Sequence, residues 1–317
     1  MDSQQKKSGN RLFWGILIGV VVIAVVFVGI AFLVLASKIV TTGSSDYYYE
    51  STGSGEGKIA IVDLDFTIVS SDPIVRQFKK FREDKSIKAI VLRINSPGGG
   101  VAASQEMYEE VRKTRDAGKP VIVSFASIAA SGGYYTACGG SIIVSNPGTL
   151  TGSIGVIGQF VSIKDLADKL GIKYTTVKSG ELKDAGSPFR DVNKADLDYF
   201  NDIIMDSYEQ FLDVVSKERK IDKEELRKIA NGRVFTGLQA KKLKLVDTIG
   251  TFQDAIRIAA DMAGIKGDPV LVREKRHQAI LDLFFKSSGG SELKEIKEEF
   301  QNEFLNLPVL QYKFENK

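Results

Sequence analysis

The sequence predicts an α/β protein built on a largely parallel β-sheet. Two observations predict this class: short runs rich in Val and Ile alternate with segments of helical period, and glycine-rich turns follow two of the runs. Strands are expected at 59–64, 89–94, 121–125 and 141–144, with helices at 73–82 and 102–117. Alternating strands and helices form βαβ units, so these strands are expected to lie parallel in one sheet.

The second half of the chain is expected to be mainly helical. A strand is predicted at 174–178, followed by helices at 193–220, 223–230 and 237–242. These helices are expected to cover the sheet or to pack against other subunits. The folded domain is predicted to span 58–264, and 265–317 to be a partly disordered extension, polar and charged beyond Lys286.

An uncharged run rich in Val, Ile, Leu and Phe covers residues 12–36. As a helix rising about 1.5 Å per residue it is long enough to cross a hydrocarbon core of roughly 30 Å, so a transmembrane helix is predicted. A cleaved secretory signal is the alternative. The run is longer than the usual apolar part of such a signal, and no A-x-A cleavage site follows it.

Basic residues indicate the orientation of this helix. Lys6, Lys7 and Arg11 precede it, whereas Lys38 is the one close basic residue after it. The positive-inside rule therefore predicts that residues 1–11 are cytoplasmic and that the rest of the chain lies outside. Residues 37–57 follow, rich in Ser, Gly, Thr and Tyr without an apolar period, and are expected to form a flexible linker.

Composition excludes some classes of partner and bond. The chain has 317 residues and a formal charge of +3, with no long basic block in its body, which argues against a nucleic-acid partner. A single cysteine, Cys138, means that no intrachain disulfide can form. Its apolar surroundings favour a buried, inert thiol over a second nucleophile.

Two glycine-rich turns are the candidate site. Asn-Ser-Pro-Gly-Gly-Gly occupies 95–100 after one predicted strand, and Ala-Ala-Ser-Gly-Gly occupies 129–133 after the next. The carboxyl ends of parallel strands meet at one sheet edge, where ligands bind. Ser131 is therefore a candidate nucleophile, and nearby N–H groups could bind an oxyanion. An N-cap serine and a plain turn or phosphate-binding loop are the alternatives, although the spacing matches neither G-x-G-x-x-G nor the Walker pattern.

A serine nucleophile needs a general base, and histidine is a poor candidate because the one histidine, His277, lies far beyond the βαβ region. A lysine is then expected, and a lysine that accepts a proton near pH 7 needs a pKa well below its ordinary value of about 10.4. Lys183 has the best local context, in a turn-rich segment after the predicted strand at 174–178. Lys178 and Lys164 remain alternatives.

Five runs of the sequence together resemble the signal peptide peptidase A family over residues 58–264. They are Asn-Ser-Pro-Gly-Gly-Gly at 95–100, the runs at 129–135 and 182–188, Asn-Pro-Gly-Thr-Leu-Thr-Gly-Ser-Ile-Gly at 146–155, and Gly-Arg-Val-Phe-Thr-Gly at 232–237. The resemblance implies a ClpP/crotonase-like fold of stacked ββα units. The departures are Lys244, where the family usually has glycine, and Gly139 with Gly140, where alanines are commoner.

Roles for individual residues follow from the resemblance. It implies that Ser131 is the nucleophile and Lys183 its general base, and that Ser153 orients the lysine amine through a hydrogen bond. Gly98 and Gly132 would supply the N–H groups of an oxyanion hole. No metal and no cofactor are implied.

The function implied is a membrane-anchored serine endopeptidase that hydrolyses hydrophobic peptides, in particular signal peptides left after secretion. The family resemblance places it in the bacterial inner, cytoplasmic membrane with its catalytic domain outside. It also implies a homo-octameric ring in which neighbouring subunits share the serine and the lysine. Two alternatives stay open: an acyl-CoA enzyme of the crotonase type, and a catalytically silent membrane scaffold.

Overall fold

The computed structural model describes residues 47–276 and 311–313, together with Phe27. The chain divides into two compact units, Met1–Tyr48 and Tyr49–Lys317. Apart from Phe27, the predicted transmembrane segment 12–36 lies outside the described residues. Among the residues that are described, no helix is both long enough and apolar enough to cross a membrane.

A nine-stranded sheet forms the centre of the described fold, and two further strands form a separate small sheet. The strands are β1 (Tyr47–Thr52), β2 (Lys58–Leu64), β3 (Ile87–Ser96), β4 (Gly98–Gly100), β5 (Val121–Ala130), β6 (Ile142–Ser145), β7 (Leu150–Gly152), β8 (Val234–Thr236), β9 (Thr248–Ile249), β10 (Val270–Arg276) and β11 (Gln311–Lys313). The main sheet runs β1-β10-β2-β3-β5-β6-β9, while β7 pairs with β5 and β8 with β7.

The pairings confirm the prediction of a largely parallel sheet. Every neighbouring pair from β10 to β9 is parallel, as is β5 with β7, whereas β7 and β8 are antiparallel. The small sheet is the antiparallel pair of β4 and β11. This mixed α/β architecture fits the expected ClpP/crotonase-like fold.

The helices within residues 47–276 are α1 (Asp72–Glu83), α2 (Val101–Asp116), α3 (Gly132–Ala137), α4 (Lys164–Lys169), α5 (Lys194–Arg219), α6 (Lys223–Ile229), α7 (Gly237–Lys242) and α8 (Phe252–Met262). Five of these eight helices lie where the sequence predicts them, namely α1, α2, α5, α6 and α7, whereas α3, α4 and α8 have no predicted counterpart. A 3-10 turn covers Glu181–Asp184. The ends of α5 have clear causes: Asn193 and Asp196 form a reciprocal capping box, and Lys220 ends the helix in a left-handed conformation.

The sheet is buried on both faces, which explains why its strands are continuous apolar runs rather than alternating ones. On one face Leu92 of β3 belongs to a cluster that also contains Phe78 of α1 and Phe211 of α5. On the other face Val91 packs with Ala255 of α8. Helices therefore cover both faces and leave the ends of the strands as the place for a site.

The prediction of a strand at 174–178 is wrong. These residues form no strand, and the side chains of Tyr174 and Val177 are 57% and 95% exposed. An extended segment becomes a strand only when its N–H and C=O groups find a neighbouring strand, and none of the described strands pairs with it. Its apolar residues are therefore not part of the core.

Three strands lie in segments for which no regular structure is predicted. β1 falls in the predicted linker 37–57, and β10 and β11 fall in the predicted extension 265–317. β10 pairs in parallel with β2, with Val272 opposite Ala60, and β1 lies next to β10 at the edge of the sheet. β1 and β10 are of ordinary length, with six and seven residues, but their pairing depends on partners distant in sequence, which local periodicity cannot indicate.

Lys244 is a departure from the family pattern at a position that favours glycine. It adopts a left-handed conformation with φ of 62°, directly after Leu243, the C-cap residue of α7. Its N–H donates to the Lys241 carbonyl at 3.1 Å. Glycine is favoured at such helix ends because this conformation costs a side-chain-bearing residue roughly 1 to 2 kcal/mol.

We expect Lys244→Gly to stabilise the protein by about 1 kcal/mol, less the extra chain entropy that glycine adds to the unfolded state. The matched control is Lys242→Gly, also exposed but inside α7, where glycine should destabilise the helix by up to about 1 kcal/mol. Urea unfolding followed by circular dichroism measures both changes. A Lys244→Gly midpoint at or below that of the wild type would contradict the explanation.

Candidate active site

Ser131 lies at the carboxyl end of β5, directly before α3. It is 1% exposed, and its Oγ is buried without a hydrogen-bond partner among the described residues. A buried hydroxyl normally finds a partner, because leaving one unpaired costs about 1 to 3 kcal/mol. An unpaired buried serine at the end of a central strand is therefore typical of a functional group rather than a structural one.

The backbone of Ser131 is strained. Its φ of 53° and ψ of −116° lie in a region that residues with a side chain rarely adopt. The N–H of Ser131 donates to the Gly152 carbonyl at 2.8 Å, and its carbonyl accepts from the N–H of Tyr135 at 2.8 Å. These two bonds hold the strained residue between a strand and a helix, and this arrangement supports the predicted role of nucleophile.

Ser153 lies next to the site because of the strand register. β5 and β7 pair in parallel with Ala130 opposite Gly152, so Ser131 and Ser153 are the next residues on the two strands. Ser153 also has a positive φ, of 51°, and its N–H donates to the Arg233 carbonyl at 2.9 Å. The structure thus places Ser153 next to Ser131 in register, and its predicted role of orienting the lysine amine stays a prediction.

A cavity of about 570 Å³ opens beside Ser153. Apolar side chains make up much of its wall, including Val156, Ile157, Ile204 and Met205. Arg227 and Tyr208 also line it and add polar groups. A cavity of this size and lining suits an apolar side chain of a peptide.

The glycine run 95–100 reaches the same edge through β3. Ser96 pairs with Ala129 of β5, and a Cβ at Gly133 would lie 3.1 Å from the Ser96 carbonyl oxygen. Gly98 therefore follows Ser96 at the same offset by which Ser131 follows Ala129. The Gly98 N–H, predicted to bind an oxyanion, donates to the Ser96 hydroxyl at 3.2 Å, which is at the long end of the hydrogen-bond range.

Gly132, the other predicted oxyanion donor, is the first residue of α3 and is buried. Its carbonyl accepts a hydrogen bond from the Thr136 hydroxyl at 2.9 Å. Its N–H follows directly after Ser131 in the chain. The position is compatible with the predicted role, which stays a prediction.

The strand β4 has two edges, and Ile68 forms backbone hydrogen bonds with one of them. Gly98 accepts from the N–H of Ile68 at 2.8 Å, and the N–H of Gly100 donates to the Ile68 carbonyl at 2.7 Å. A Cβ at Gly99 would lie 2.0 Å from that carbonyl oxygen, so only glycine allows this approach. The N–H and C=O of Gly99 point to the other edge, since those of a strand alternate in direction.

That other edge is paired with β11, from near the end of the chain. Gln311, Tyr312 and Lys313 lie antiparallel to β4, with Tyr312 opposite Gly99. This strand is not predictable from the sequence, because a segment of three residues is too short to show an alternation of apolar and polar side chains. The pairing shows that an extended peptide backbone fits on β4 next to the turn that carries Ser131.

Lys183 lies in the 3-10 turn and is exposed. Its Nζ forms no hydrogen bond or ion pair with any residue that the structure describes. Since Ser131 Oγ is also without a partner there, this chain does not bring the two predicted catalytic groups into contact.

The two alternative lysines are already paired. Lys164 Nζ lies 2.5 Å from Asp191 Oδ2, and this hydrogen bond raises the pKa of that amine. Lys178 Nζ donates to Asp184 Oδ1 at 2.6 Å and to the Glu181 carbonyl at 2.8 Å. The raised pKa of Lys164 favours its charged form, which cannot act as a base, and the amine of Lys178 is occupied by its two acceptors. Of the three candidates, Lys183 has the free amine among the described residues.

The remaining chemical candidates do not add to the site. Cys138 is 2% exposed, as predicted for a buried thiol, and burial raises the pKa of this thiol to about 12. His277 lies outside the described residues. Within the described part of the chain, no group of three or more His, Cys, Asp or Glu could hold a metal ion.

Comparison with known proteins identifies the family of this chain. Residues 113–266 match the model of peptidase family S49. A putative protease of Synechocystis sp. is 40% identical over 214 residues, which are 67% of this chain and 77% of that protein. The chain belongs to the signal peptide peptidase A family of serine peptidases.

Two further relatives carry names of this family. A putative signal peptide peptidase SppA of Enterococcus faecium is 39% identical over 180 residues, 57% of this chain and 52% of that protein. Protease 4 of Haemophilus influenzae is 36% identical over 220 residues, 67% of this chain but 36% of that protein. The chain thus spans about half of one of these relatives and about a third of the other. The region matched to the S49 model contains Ser131, Ser153 and Lys183.

Gly99→Ala tests the importance of the β4 edge. The added Cβ would lie 2.0 Å from the Ile68 carbonyl oxygen, so β4 must move. We expect kcat/KM for a peptide substrate to fall about 100-fold, since a displacement of about 1 Å at a reacting centre has costs of this order.

The matched control for this substitution is Gly148→Ala, where a Cβ would meet nothing within 4 Å. It should keep wild-type kcat/KM. Thermal unfolding of both variants separates a local effect on catalysis from a loss of folded protein. Equal activity of Gly99→Ala and wild type would show that this edge plays no part in catalysis.

Proposed function

We propose that the protein is a membrane-anchored serine endopeptidase that cleaves hydrophobic peptides, with Ser131 as nucleophile and Lys183 as general base. One observation carries the proposal: an extended segment, β11, pairs with β4 beside the turn that holds Ser131. An added strand is a common way to bind a peptide, because the backbone hydrogen bonds position the scissile carbonyl whatever the sequence.

In the proposed mechanism the neutral amine of Lys183 accepts the Ser131 proton while Oγ attacks the peptide carbonyl. The N–H groups of Gly98 and Gly132 stabilise the negative oxygen of the tetrahedral intermediate. Lys183 then gives the proton to the leaving amine. In the second half, Lys183 accepts a proton from the water that attacks the acyl carbonyl and returns it to Ser131 Oγ as the acid product leaves. For Gly98 this requires that its N–H release the long bond to the Ser96 hydroxyl.

The two catalytic groups are proposed to come from neighbouring subunits of a homo-octameric ring. Ser131 Oγ and Lys183 Nζ are each without a partner among the described residues, which supports a site completed by another copy. The segment around Lys183 also exposes large apolar side chains: Val161, Leu166, Leu170, Ile172, Tyr174 and Val177 are all more than half exposed. Exposed apolar patches of this kind are typical of protein interfaces.

The substrate class is proposed from the cavity and the membrane segment. Val156, Ile157 and Met205 line the cavity beside Ser153, which supports a preference for apolar side chains. Residues 12–36 are proposed to anchor the chain in the bacterial inner membrane, with residues 1–11 cytoplasmic and the peptidase domain outside. Hydrophobic peptides that leave the bilayer, such as remnant signal peptides, would then reach the site directly.

Single substitutions test the two catalytic residues. In hydrolysis of a fluorogenic hydrophobic peptide, Ser131→Ala and Lys183→Ala should each lower kcat/KM by at least about 1,000-fold, as in other enzymes that lose a nucleophile or its base. Lys169→Ala is the matched control, since Lys169 is an exposed lysine on α4. Retained turnover in Lys183→Ala would return Lys178 and Lys164 to consideration.

Mixing the two inactive variants tests the shared site. If neighbouring subunits share the pair, co-assembled Ser131→Ala and Lys183→Ala chains regain about a quarter of wild-type activity, because random mixing places an intact serine beside an intact lysine at that frequency. If both groups came from one chain, every mixture would stay inactive. Refolding or co-expression of the two variants, followed by size-exclusion chromatography, provides the mixed assembly.

A further inference from the structure

The turn that carries Lys183 lies in a part of the chain with little regular structure. Between β7 and α5 the described chain contains the short helix α4 and the 3-10 turn, and none of the strands of the two sheets. Most of its side chains are exposed, so burial of apolar surface contributes little there. A general base needs a precise position, and some other interaction must supply it.

A cluster of charged side chains supplies that interaction. The guanidinium of Arg190 holds Asp196 with two bonds, Nη1 to Oδ2 at 2.5 Å and Nη2 to Oδ1 at 2.8 Å. Its Nη2 also contacts Asp184 Oδ1 at 3.0 Å and the Asp184 carbonyl at 3.2 Å. Lys178 also bonds Asp184 Oδ1, at 2.6 Å. Arg190 therefore links the last residue of the turn to the first turn of α5.

The two carboxylates of this cluster are largely shielded from water, although most residues of the segment around them are exposed. The side chain of Asp196 is 1% exposed and that of Asp184 is 12% exposed. The hydrogen bond from Arg190 lowers the pKa of Asp196 to about 2, and the same guanidinium is the main cause that lowers the pKa of Asp184. A buried carboxylate without a cation is strongly destabilising, so Asp196 depends on Arg190, whereas Asp184 also has Lys178.

Lys183 directly precedes Asp184, and the backbone on both sides of it is held. Its own N–H donates to the Gly180 carbonyl at 3.2 Å, and the Asp184 carbonyl accepts from the N–H of Ser187 at 3.0 Å. The Asp184 carbonyl is also one of the atoms that Arg190 binds. The main chain of Lys183 is thus fixed while its amine stays free of partners among the described residues.

We propose that Arg190 is a positioning residue for catalysis, which holds the turn of Lys183 against the start of α5 and neutralises the carboxylates beside it. The proposal rests on the proposed function of Lys183 as general base. Arg190 acts through the turn, without a direct part in the chemistry. Its bidentate contact with Asp196 needs the planar fork of arginine, which lysine cannot reproduce.

The test compares peptide hydrolysis by wild type, Arg190→Ala and Arg190→Lys in the full chain. We expect Arg190→Ala to lower kcat about 100-fold with KM within about threefold, because a misplaced base affects the chemical step more than binding. Arg190→Lys should lie between the two, since it keeps the charge without the fork. Added guanidinium chloride at low millimolar concentration should restore part of the Arg190→Ala activity.

The pH dependence provides a readout that a purely structural role would not move. The charged groups around Lys183 are Glu181 and Asp184 of the turn itself, Arg190, Lys178 and Asp196, with Lys164 paired to Asp191. Without Arg190, two carboxylates lose their main cation and favour a protonated amine nearby. The acid limb of the kcat/KM profile of Arg190→Ala should therefore move to higher pH than that of wild type.

The matched control is Arg112→Ala. Arg112 also bridges two carboxylates, Glu109 at 2.7 Å and Asp116 at 3.0 Å, but on α2. It should leave kcat, the pH profile and the response to guanidinium unchanged. Size-exclusion chromatography of all variants shows whether the assembly is intact.

Two outcomes would overturn the inference. One is an Arg190→Ala variant with wild-type kcat and pH profile, and the other is an inactive variant that loses its assembly and does not respond to guanidinium. Lys183→Ala, measured beside them, separates this inference from the proposed function. If Lys183→Ala is inactive and Arg190→Ala is normal, the positioning role fails alone; if Lys183→Ala stays active, the assignment of the base fails with it.

Discussion

The parallel pairing of β5 with both β3 and β7 is the constraint on which the candidate site depends. Through it, three chain segments distant in sequence leave their strands side by side, with Ser96 opposite Ala129 and Gly152 opposite Ala130. The bond from the Ser131 N–H to the Gly152 carbonyl then holds the serine in its positive-φ conformation. The strain at Ser131 is tolerated because a buried sheet surrounds it.

The two halves of the proposed site are held by different physical interactions. Ser131 is supported by buried strands and helices, where packing and backbone hydrogen bonds are strongest. Lys183 lies on an exposed segment whose local order comes from the ion pairs of Asp184 with Arg190 and Lys178. A rigid serine and a lysine on a separately held turn are compatible with a site that is completed only when subunits assemble.

Long elements with a clear period were predictable, and elements defined by distant partners were not. The start of α5 follows from Asn193 and its length from the apolar period, and both are local signals. In contrast, 174–178 has the composition of a strand but no neighbour to pair with among the described strands, while β1, β10 and β11 have neighbours that only the folded chain supplies. A strand forms only when a neighbouring strand pairs with it, so the sequence of one segment alone does not show whether it becomes a strand.

For the site, the sequence by itself determined which residues are chemically able to act: a serine between small residues, two glycine turns after apolar strands, and lysines in place of histidine. Only the tertiary structure decided that Ser131 is strained, buried and unpaired among the described residues, and that Lys164 and Lys178 are bound to carboxylates while Lys183 is not. The reason is physical. Reactivity depends on burial, on backbone conformation and on which charges lie within a few ångströms, and these are set by parts of the chain far apart in sequence.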